Sequence, residues 1–371
     1  MKKAGIITFH CADNFGAVLQ TFALSKVLEN FGLSAEVIDF LPKEITNLYT
    51  LFPDIRYTLN QQGYSSALKA ILYRILHCRK IKTRISNFGK FREKYLNLSE
   101  SSFLTADELL KEKPKYDYYI TGSDQVWNPD LFSKIGGSYF LDFAPDNSIK
   151  ISYAASIAKK VEPEFEPFFE QHLKRFDYIS VREKSSKGFV SKFTDKEVWV
   201  TLDPTLLIDD KDWESICDFG NKYDEEYIFV YDLVKAPEIV SLANRIAKRF
   251  NCKIISFSGG KGYINWHSRF STASPTDFLG LMRNAKFVLS TSFHGTAFAI
   301  IFNKPFYTVP HPTRGSRMTD LLNSLGLNER LVKSIDDPGI IDDIDYAKAN
   351  RNLACLKQKS LEFLRTALEI A

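Results

Sequence analysis

Residues 287–306 read FVLSTSFHGTAFAIIFNKPF. An apolar strand over residues 287–289 leads through three polar residues into an apolar helix that starts near His294. A helix N-terminus carries partial positive charge and free N–H groups, which suit an anionic ligand. His294 lies at that end beside Gly295, where the backbone permits a close approach. His294 is therefore a candidate proton donor, with a capping or half-buried structural histidine as the alternative.

Strands and helices alternate on both sides of this stretch. In a first region the pattern predicts a helix at 17–30 and strands at 4–9, 35–40, 116–121, 150–154 and 178–181. In a second region it predicts helices at 236–250, 276–283 and 295–302 and strands at 197–202, 227–231, 253–257, 287–289 and 306–309. Strands separated by helices favour parallel sheets with ligand sites at the carboxyl ends of the strands. The predicted fold class is α/β, with two Rossmann-like, doubly wound domains.

A boundary near residues 185–196 divides the chain into a predicted N-terminal domain, residues 1–185, and a predicted C-terminal domain, residues 196–340. Two domains of ordinary size suit a chain of 371 residues. The pattern of residues 341–371 predicts a long final helix, which we expect to pack back onto the first domain. The alternation breaks at residues 42–112, which predicts an inserted helical region.

Between Lys69 and Lys94 this insertion carries nine basic residues and a single acid, Glu93. Apolar residues recur there at helical spacing, so the segment predicts a basic amphipathic helix. Such a helix either lies on an anionic membrane or packs its apolar stripe against the first sheet with its charges solvated. The sequence leaves these two alternatives open.

Composition excludes several classes of protein. The net charge of +4, from 49 basic and 45 acidic residues, argues against a nucleic-acid-binding surface. The five scattered cysteines form no C-x-x-C pair, which argues against a zinc site or disulfide framework and fits a reducing compartment. We find no signal peptide and no stretch of about 20 apolar residues. The expected location is cytoplasmic, at the inner face of the cell membrane if the basic segment binds lipid.

The turns after two predicted strands are rich in polar side chains. The first follows residues 4–9, and the second, GSDQVW, occupies residues 122–127. Polar loops at the carboxyl ends of parallel strands line ligand crevices, and Trp127 offers a stacking face for a sugar ring. A capping turn with Trp127 in the core is the alternative. The candidate ligand-binding residues of these turns are Asp13, Asn14, Ser123, Asp124, Gln125 and Trp127.

Basic side chains form a second candidate group. Arg182 follows the strand predicted at 178–181, and its guanidinium suits bidentate recognition of a carboxylate or phosphate. Lys304, Arg314 and Arg317 follow His294 closely in sequence and indicate an anion-binding pocket, with salt bridges or solvated charges as the alternative. Neither G-x-G-x-x-G nor a P-loop occurs, so dinucleotide or ATP binding has no motif support.

Six motifs occur in order along the chain: IITF with NFGAVLQ (6–9 and 14–20), GSDQVW (122–127), SYAAS (152–156), SVRE (180–183), DPT (203–205) and SFHG (292–295). Together they resemble the polysaccharide pyruvyl transferase family over residues 5–327. The resemblance implies a fold similar to the two-domain GT-B glycosyltransferases. It also implies an enzyme that transfers the pyruvyl group of phosphoenolpyruvate onto two hydroxyls of a sugar as a cyclic ketal, without a metal or other cofactor.

The resemblance implies roles for the candidate residues. His294 matches the family's proposed acid, which would protonate the methylene carbon of phosphoenolpyruvate and make C2 electrophilic. Arg182 matches an arginine that holds phosphoenolpyruvate. Some members carry an arginine two residues before the histidine, where this chain has Ser292. The implied phosphoenolpyruvate-binding residues are Arg182, Phe293, His294, Gly295, Lys304, Arg314 and Arg317, and the implied acceptor-binding residues are Asp13, Asn14, Ser123, Asp124, Gln125 and Trp127.

The predicted enzyme would act in the synthesis of capsule, exopolysaccharide or cell-wall polymers. Its expected partners are phosphoenolpyruvate, a polyprenyl-linked sugar acceptor and the membrane surface near Lys69 to Lys94, with no nucleic acid. Two other hypotheses stay open from the sequence. A GT-B-like glycosyltransferase would use a nucleotide sugar, whereas a non-catalytic sugar-binding member would have lost the reaction, for which Ser292 is the sole indication.

Overall fold

The computed structural model describes residues 1–54, 59, 69, 71–218, 225–257, 262–267, 272–311, 315–332 and 343–370. Within these residues, twelve strands form two parallel sheets. The first sheet contains β1 (Lys3–Ile7), β2 (Ser34–Phe40), β3 (Leu98–Phe103), β4 (Tyr118–Thr121), β5 (Ile149–Ala155), β6 (Tyr178–Val181) and β7 (Val198–Val200). The second sheet contains β8 (Tyr227–Tyr231), β9 (Lys253–Ser256), β10 (Trp266–His267), β11 (Phe287–Ser290) and β12 (Phe306–Thr308).

Helices connect these strands. In the first part of the chain they are α1 (Phe15–Asn30), α2 (Lys43–Thr46), α3 (Cys78–Tyr95), α4 (Ala106–Glu112), α5 (Pro129–Ile135), α6 (Glu166–Leu173) and α7 (Lys184–Val190). They continue as α8 (Asp210–Ile216), α9 (Pro237–Phe250), α10 (Pro275–Asn284), α11 (Phe293–Ile301), α12 (Ser316–Leu325) and α13 (Tyr346–Ala367). No helix in the described ranges is long and apolar enough to cross a membrane.

Strand order creates a crevice in each sheet. The first sheet has the order β3-β2-β1-β4-β5-β6-β7, and the second has the order β10-β9-β8-β11-β12. The direction of succession reverses between β1 and β4 in the first sheet and between β8 and β11 in the second. Such reversals open ligand crevices beyond the carboxyl ends of the strands. The segments that follow β1, β4, β8 and β11 are therefore the ones placed to form a site.

Two features of the sheets differ from the sequence prediction. The strand predicted at residues 197–202 was grouped with the second region, but β7 pairs with β6, so the first sheet extends past the predicted split at 185–196. The strands β3 and β10 were not predicted. β3 has the sequence LSESSF, whose exposed serines and glutamate at the sheet edge lack the apolar signature of a central strand.

Aromatic contacts join the two sheets' helices. The Asn14 side chain caps α1 by accepting a hydrogen bond from the Ala17 N–H at 3.3 Å. At the start of this helix, the Phe15 ring stacks on Phe278 of α10 with a centroid separation of 4.5 Å. The final helix, α13, packs against the first sheet, where the Ser360 hydroxyl accepts a hydrogen bond from the Leu202 N–H. Helices from both halves of the chain thus fix the crevices relative to each other.

The basic segment packs against the protein along part of its length. In α3, Phe88 and Phe91 are buried, and the Phe88 ring lies 5.2 Å from that of Phe15. The Asn87 amide donates a hydrogen bond to the Thr272 carbonyl near the start of α10. This part of α3 therefore packs against α1 and the start of α10, whereas three apolar residues of the predicted stripe, Leu72, Ile75 and Leu76, are exposed. The prediction of membrane contact stays a prediction.

Candidate active site

A cleft of about 250 Å³ lies where the crevices of the two sheets face each other. The turn after β1 contributes Asn14, and the turn after β4 contributes Asp124 and Gln125. From the second sheet come Leu233 and Val234 after β8 and residues 291–294 after β11, while α12 adds Arg317. All four segments next to the strand-order reversals therefore reach this cleft, which makes it the candidate active site.

The His294 imidazole is held between α1 and the chain that follows β7. A Cβ atom on Gly16 would lie 2.1 Å from Nδ1 of His294, so only glycine leaves room for the ring. On the other side, Nε2 of His294 lies 3.3 Å from Oδ2 of Asp203, an ion-pair distance, although the two atoms miss hydrogen-bond geometry. The imidazole is buried yet borders the cleft. Its position therefore depends on both halves of the chain.

Asp203 is the buried carboxylate around which the site is organised. One oxygen accepts hydrogen bonds from the backbone and side chain of Thr205, at 3.0 and 2.7 Å. The other accepts from Arg182 at 2.6 Å and from Ser123 at 2.9 Å. Burial alone would raise the pKa of this carboxyl, but His294 and Arg182 hold the pKa well below its usual range. Asp203 is thus a fixed anion beside the candidate proton donor.

Two arginines surround the Phe293 ring at the start of α11. The guanidinium carbon of Arg182 lies 4.6 Å from the ring centroid, and that of Arg317 lies 5.9 Å away. Both face the Asp124 carboxylate, at 3.2 Å for Arg182 and 3.5 Å for Arg317. Burial and the neighbouring Arg182 lower the pKa of Arg317 to about 10. Burial lowers the pKa of Arg182 less than Asp203 and Asp124 raise it, whereas the burial of Arg317 is incompletely offset by its neighbours.

Three buried nitrogen atoms around Phe293 make no hydrogen bond within the described residues. They are Nε of Arg182, Nε of Arg317 and Nε2 of His294. The Ser292 side chain, at the N-cap of α11, also makes no capping hydrogen bond, which leaves the first-turn N–H groups without that acceptor. Buried donors without partners are costly and are rare in native proteins. An anionic ligand would satisfy them.

Several sequence-predicted residues meet at this cleft. His294, Phe293, Arg317, Asp124, Gln125 and Asn14 line it. Arg182 and Ser123 lie behind its surface, where both donate hydrogen bonds to Asp203. Asp124 has the left-handed φ of 79°, an uncommon conformation for a residue other than glycine. This conformation accompanies the carboxylate's contacts with both arginines.

Trp127 and Asp13 lie elsewhere. The predicted sugar-stacking face of Trp127 is fully buried against Phe140 at a centroid distance of 5.2 Å, and its indole N–H donates to the Tyr139 carbonyl. Asp13 turns away from the cleft and pairs with Arg92 of α3 at 2.9 Å. The core alternative was therefore correct for Trp127, and Asp13 anchors the inserted helix.

Two further predicted residues, Lys304 and Gly295, do not line the cleft. Lys304 follows the far end of α11, a helix of nine residues that spans roughly 13 Å. Gly295 is required by packing, because a Cβ there would lie 2.2 Å from the Ser290 hydroxyl oxygen. Arg314 lies outside the described residues. Proximity to His294 in sequence was therefore a poor guide to position, because an intervening helix separates its two ends.

Asp203 is the principal residue that the site prediction missed. Its DPT motif contributed to the family resemblance, but no role was assigned to it. The available signal was an acidic residue directly after a predicted strand and before a proline, a position at the carboxyl edge of the sheet. Gly16, whose missing side chain makes room for His294, was also quoted only as part of a motif.

Comparison with known proteins gives the class. The sequence pattern of the polysaccharide pyruvyl transferase family matches residues 14–312. The chain therefore belongs to the polysaccharide pyruvyl transferase family, and this membership supports a transferase of polysaccharide pyruvylation. None of the curated proteins compared with the chain matches it.

Solved structures are similar in fold at low sequence identity. UDP-GlcNAc 2-epimerase of Methanocaldococcus jannaschii, in complex with UDP-GlcNAc and UDP, superposes with a TM-score of 0.50 at 13% identity, covering 100% of this chain and 99% of the epimerase. The Streptomyces sp. SF2575 glycosyltransferase SsfS6, complexed with thymidine diphosphate, has a TM-score of 0.45 at 13% identity, covering 100% of each chain. The E. coli heptosyltransferase WaaC has a TM-score of 0.42 at 13% identity, covering 96% of this chain and 99% of WaaC. The two parallel sheets and the likeness in fold to the epimerase confirm the predicted α/β fold class.

Proposed function

We propose that this protein is a ketal pyruvyltransferase that moves the pyruvyl group of phosphoenolpyruvate onto two hydroxyls of a sugar. The observation that carries the proposal is the pair of buried arginines, Arg182 and Arg317, whose Nε atoms make no hydrogen bond within the described residues, beside His294 at the start of α11. Phosphoenolpyruvate carries a phosphate and a carboxylate, with up to three negative charges. Two arginines and the N-terminus of α11 suit those groups. The polymer served would be a capsule, exopolysaccharide or cell-wall polymer.

We assign the role of general acid to His294, and its place in the lining of the cleft supports this assignment. His294 would protonate C3 of phosphoenolpyruvate, which converts the methylene to a methyl group and makes C2 electrophilic. One sugar hydroxyl adds to C2 and passes its proton to Asp124, from which it returns to His294. The C2–O bond to phosphate then breaks, and the second hydroxyl adds to C2 and gives its proton to the departing phosphate. The products are the pyruvylated sugar and inorganic phosphate. Asp203 would stabilise the charged imidazolium from 3.3 Å away, as a positioning residue that need not touch the substrate.

Asp124 suits the acceptor side of the reaction. Burial alone would raise the pKa of its carboxyl, but Arg182, His294 and Arg317 keep the pKa below the usual value. The group is therefore ionised near neutral pH and can accept the proton of an attacking hydroxyl. Asn14 and Gln125 line the same part of the cleft and offer amide groups to the sugar. No step in this scheme needs Trp127.

A lipid-linked acceptor and contact with an anionic membrane extend the proposal. Three apolar side chains before α3 are highly exposed: Leu72 at 55%, Ile75 at 61% and Leu76 at 71%. The exposed cations Arg79, Lys80 and Lys82 follow them along the chain. Apolar groups beside positive charges suit the interface of a membrane that contains anionic lipids.

Phosphate release from phosphoenolpyruvate tests the proposed reaction. The assay compares wild type with His294→Gln against a panel of lipid-linked and nitrophenyl sugars. His172→Gln is the matched control, since His172 is a buried histidine of α6 whose ring stacks on Phe168 instead of facing the cleft. We expect release that depends on the acceptor, is lost in His294→Gln and persists in folded His172→Gln.

Mass spectrometry of the acceptor identifies the product. Gain of a pyruvyl ketal on one sugar, with both hydroxyls blocked, would establish the reaction. Full activity in folded His294→Gln would contradict the role of the acid. An absence of release with every acceptor, together with thermal stabilisation by a nucleotide sugar, would favour glycosyl transfer instead.

A further inference from the structure

A second cavity, of about 350 Å³, lies between α3 and the residues that follow α2. Asp13 borders this cavity, and the next residue, Asn14, borders the catalytic cleft. The two spaces are therefore neighbours along the turn after β1. Tyr49, Arg74 and Arg84 are among the residues that line the second cavity, and the proposed pyruvyl transfer gives none of them a role.

Arg84 is held rigidly with its charge facing this space. Its guanidinium donates a hydrogen bond to the Asp13 carbonyl at 2.7 Å. The guanidinium carbon also lies 5.7 Å from the ring centroid of Phe15 and 5.3 Å from that of Phe88. The cation–π contacts and the hydrogen bond fix the group but do not neutralise it.

Arg74 also lines this cavity and is fixed in a similar way. Its guanidinium donates hydrogen bonds to the backbone carbonyls of Thr50, Asn47 and Leu48. Over the ranges that the structure describes, neither Arg74 nor Arg84 pairs with a carboxylate. Among the described residues that line the cavity, Asp13 is the one acid; it pairs with Arg92, and its charge also acts on Arg84. The described lining therefore has two anchored positive charges and one carboxylate that Arg92 already engages, and burial lowers the pKa of Arg74.

We propose that this cavity binds the diphosphate of a glycosyl diphosphate acceptor, an inference that rests on the proposed pyruvyl transfer. Each guanidinium can offer paired N–H donors to phosphate oxygens, and two phosphoryl groups match two arginines. A sugar whose hydroxyls face His294 would extend the substituent of its anomeric carbon past Asn14 towards Arg84. Burial raises the pKa of Tyr49 to about 12, so its phenol keeps a proton that can be donated to phosphate.

The diphosphate could belong to a lipid carrier or to a nucleotide. One sugar is therefore presented in three forms: as a short-chain prenyl diphosphate, as a uridine diphosphate and as a nitrophenyl glycoside. The KM of each is measured for wild type, Arg74→Gln and Arg84→Gln. Arg365→Gln is the matched control, because Arg365 is exposed on α13 and also lies over an aromatic ring, 5.7 Å from the centroid of Phe31.

We expect each cavity variant to raise the KM of the diphosphate acceptors by about ten- to a hundred-fold, the usual effect of losing a charge-assisted hydrogen bond. The KM of the nitrophenyl glycoside and that of phosphoenolpyruvate should not change. Arg84→Lys, which keeps the charge, should restore part of the loss. The diphosphate form with the lower KM in wild type identifies the carrier. Equal losses with all three acceptors, or a wild type without preference for a diphosphate, would overturn the inference.

A binding measurement tests the cavity without turnover. Inorganic pyrophosphate should raise the melting temperature of wild type, and this shift should disappear in Arg84→Gln but persist in Arg317→Gln. Loss of the shift only in Arg317→Gln would assign the anion to the cleft and refute the diphosphate cavity. If no acceptor stimulates phosphate release while pyrophosphate still depends on Arg84, pyruvyl transfer fails and the anion site stands.

Discussion

Replacing Asp203 with Asn removes the carboxylate that faces His294 and tests whether this carboxylate supports the acid. The two side chains approach to 3.3 Å. At an effective dielectric constant of about 20, unit charges at that distance attract by about 5 kcal/mol before desolvation. Burial of both groups offsets part of this attraction. We therefore expect a net loss of about 2–3 kcal/mol of transition-state stabilisation, or roughly 30- to 150-fold in kcat.

A kinetic comparison separates a catalytic role of Asp203 from a structural one. In Asp203→Asn, kcat per folded molecule should fall while the KM of the acceptor changes little. A variant that only loosened the fold would keep the wild-type kcat once activity is divided by the folded fraction.

A second buried histidine–aspartate pair provides the control. His10 and Asp39 approach to 2.9 Å at the carboxyl ends of β1 and β2, and neither lines the cleft. Asp39→Asn should lower the free energy of unfolding without lowering kcat per folded molecule. The reasoning is refuted if Asp203→Asn keeps the wild-type kcat, or if Asp39→Asn lowers kcat as far.

Stability in acid gives an independent check on Asp203. Its pKa is lower in the folded protein than in the unfolded chain. The carboxylate therefore adds stability above about pH 4, the usual pKa of Asp. This stability is lost as the pH falls towards the pKa of Asp203 in the folded protein. The difference in free energy of unfolding between wild type and Asp203→Asn, measured with urea, should be full at neutral pH and shrink below about pH 4. A difference that is constant with pH would contradict the assignment of charge.

Three further substitutions have distinct expected outcomes. Gly16→Ala should abolish phosphate release, because its Cβ would lie 2.1 Å from Nδ1 of His294. The control Gly188→Ala, at a helical glycine with open space around it, should leave stability unchanged or raise it by up to about 1 kcal/mol. Retained activity in Gly16→Ala would refute the packing of the imidazole. Trp127→Ala should lower the free energy of unfolding, measured by calorimetry, by about 3–5 kcal/mol and leave the acceptor KM of the folded enzyme unchanged. A large rise in that KM would instead support the sugar-stacking role. Arg317→Gln should raise the KM of phosphoenolpyruvate by about ten- to a hundred-fold through loss of a charge-assisted contact, and an unchanged KM would remove Arg317 from the donor site.

The sequence predicted the alternation of strands and helices because most strands are buried runs of apolar residues followed by turn formers. The strand β3 was missed because its side chains are mostly polar. Its backbone hydrogen bonds to β2 hold it in the sheet, and these bonds leave no pattern in the sequence. The His294 site was predictable because a strand, a turn and a helix are local features. The partners of His294 were not, since Gly16 and Asp203 reach it through tertiary packing.

Trp127 and Lys304 show where sequence arguments fail for the candidate site. Alternate residues of one loop can face a cleft or a core, and GSDQVW does both, with Asp124 at the cleft and Trp127 against Phe140. Residue type alone does not reveal that division, because an indole suits either environment. Lys304 follows His294 by ten positions, but α11 carries the chain away from the cleft over that interval.

The charges around Phe293 are better explained by ligand binding than by stability. The desolvation of a buried ion pair often costs more free energy than the attraction between its charges provides, so such a pair is weak evidence for a role in folding. Here Arg182 contacts two carboxylates and still leaves its Nε without a hydrogen bond, and burial lowers the pKa of Arg317. An apolar core of the same volume would avoid these costs. An anion that brings several negative charges would offset them, as the proposed donor with its phosphate and carboxylate would.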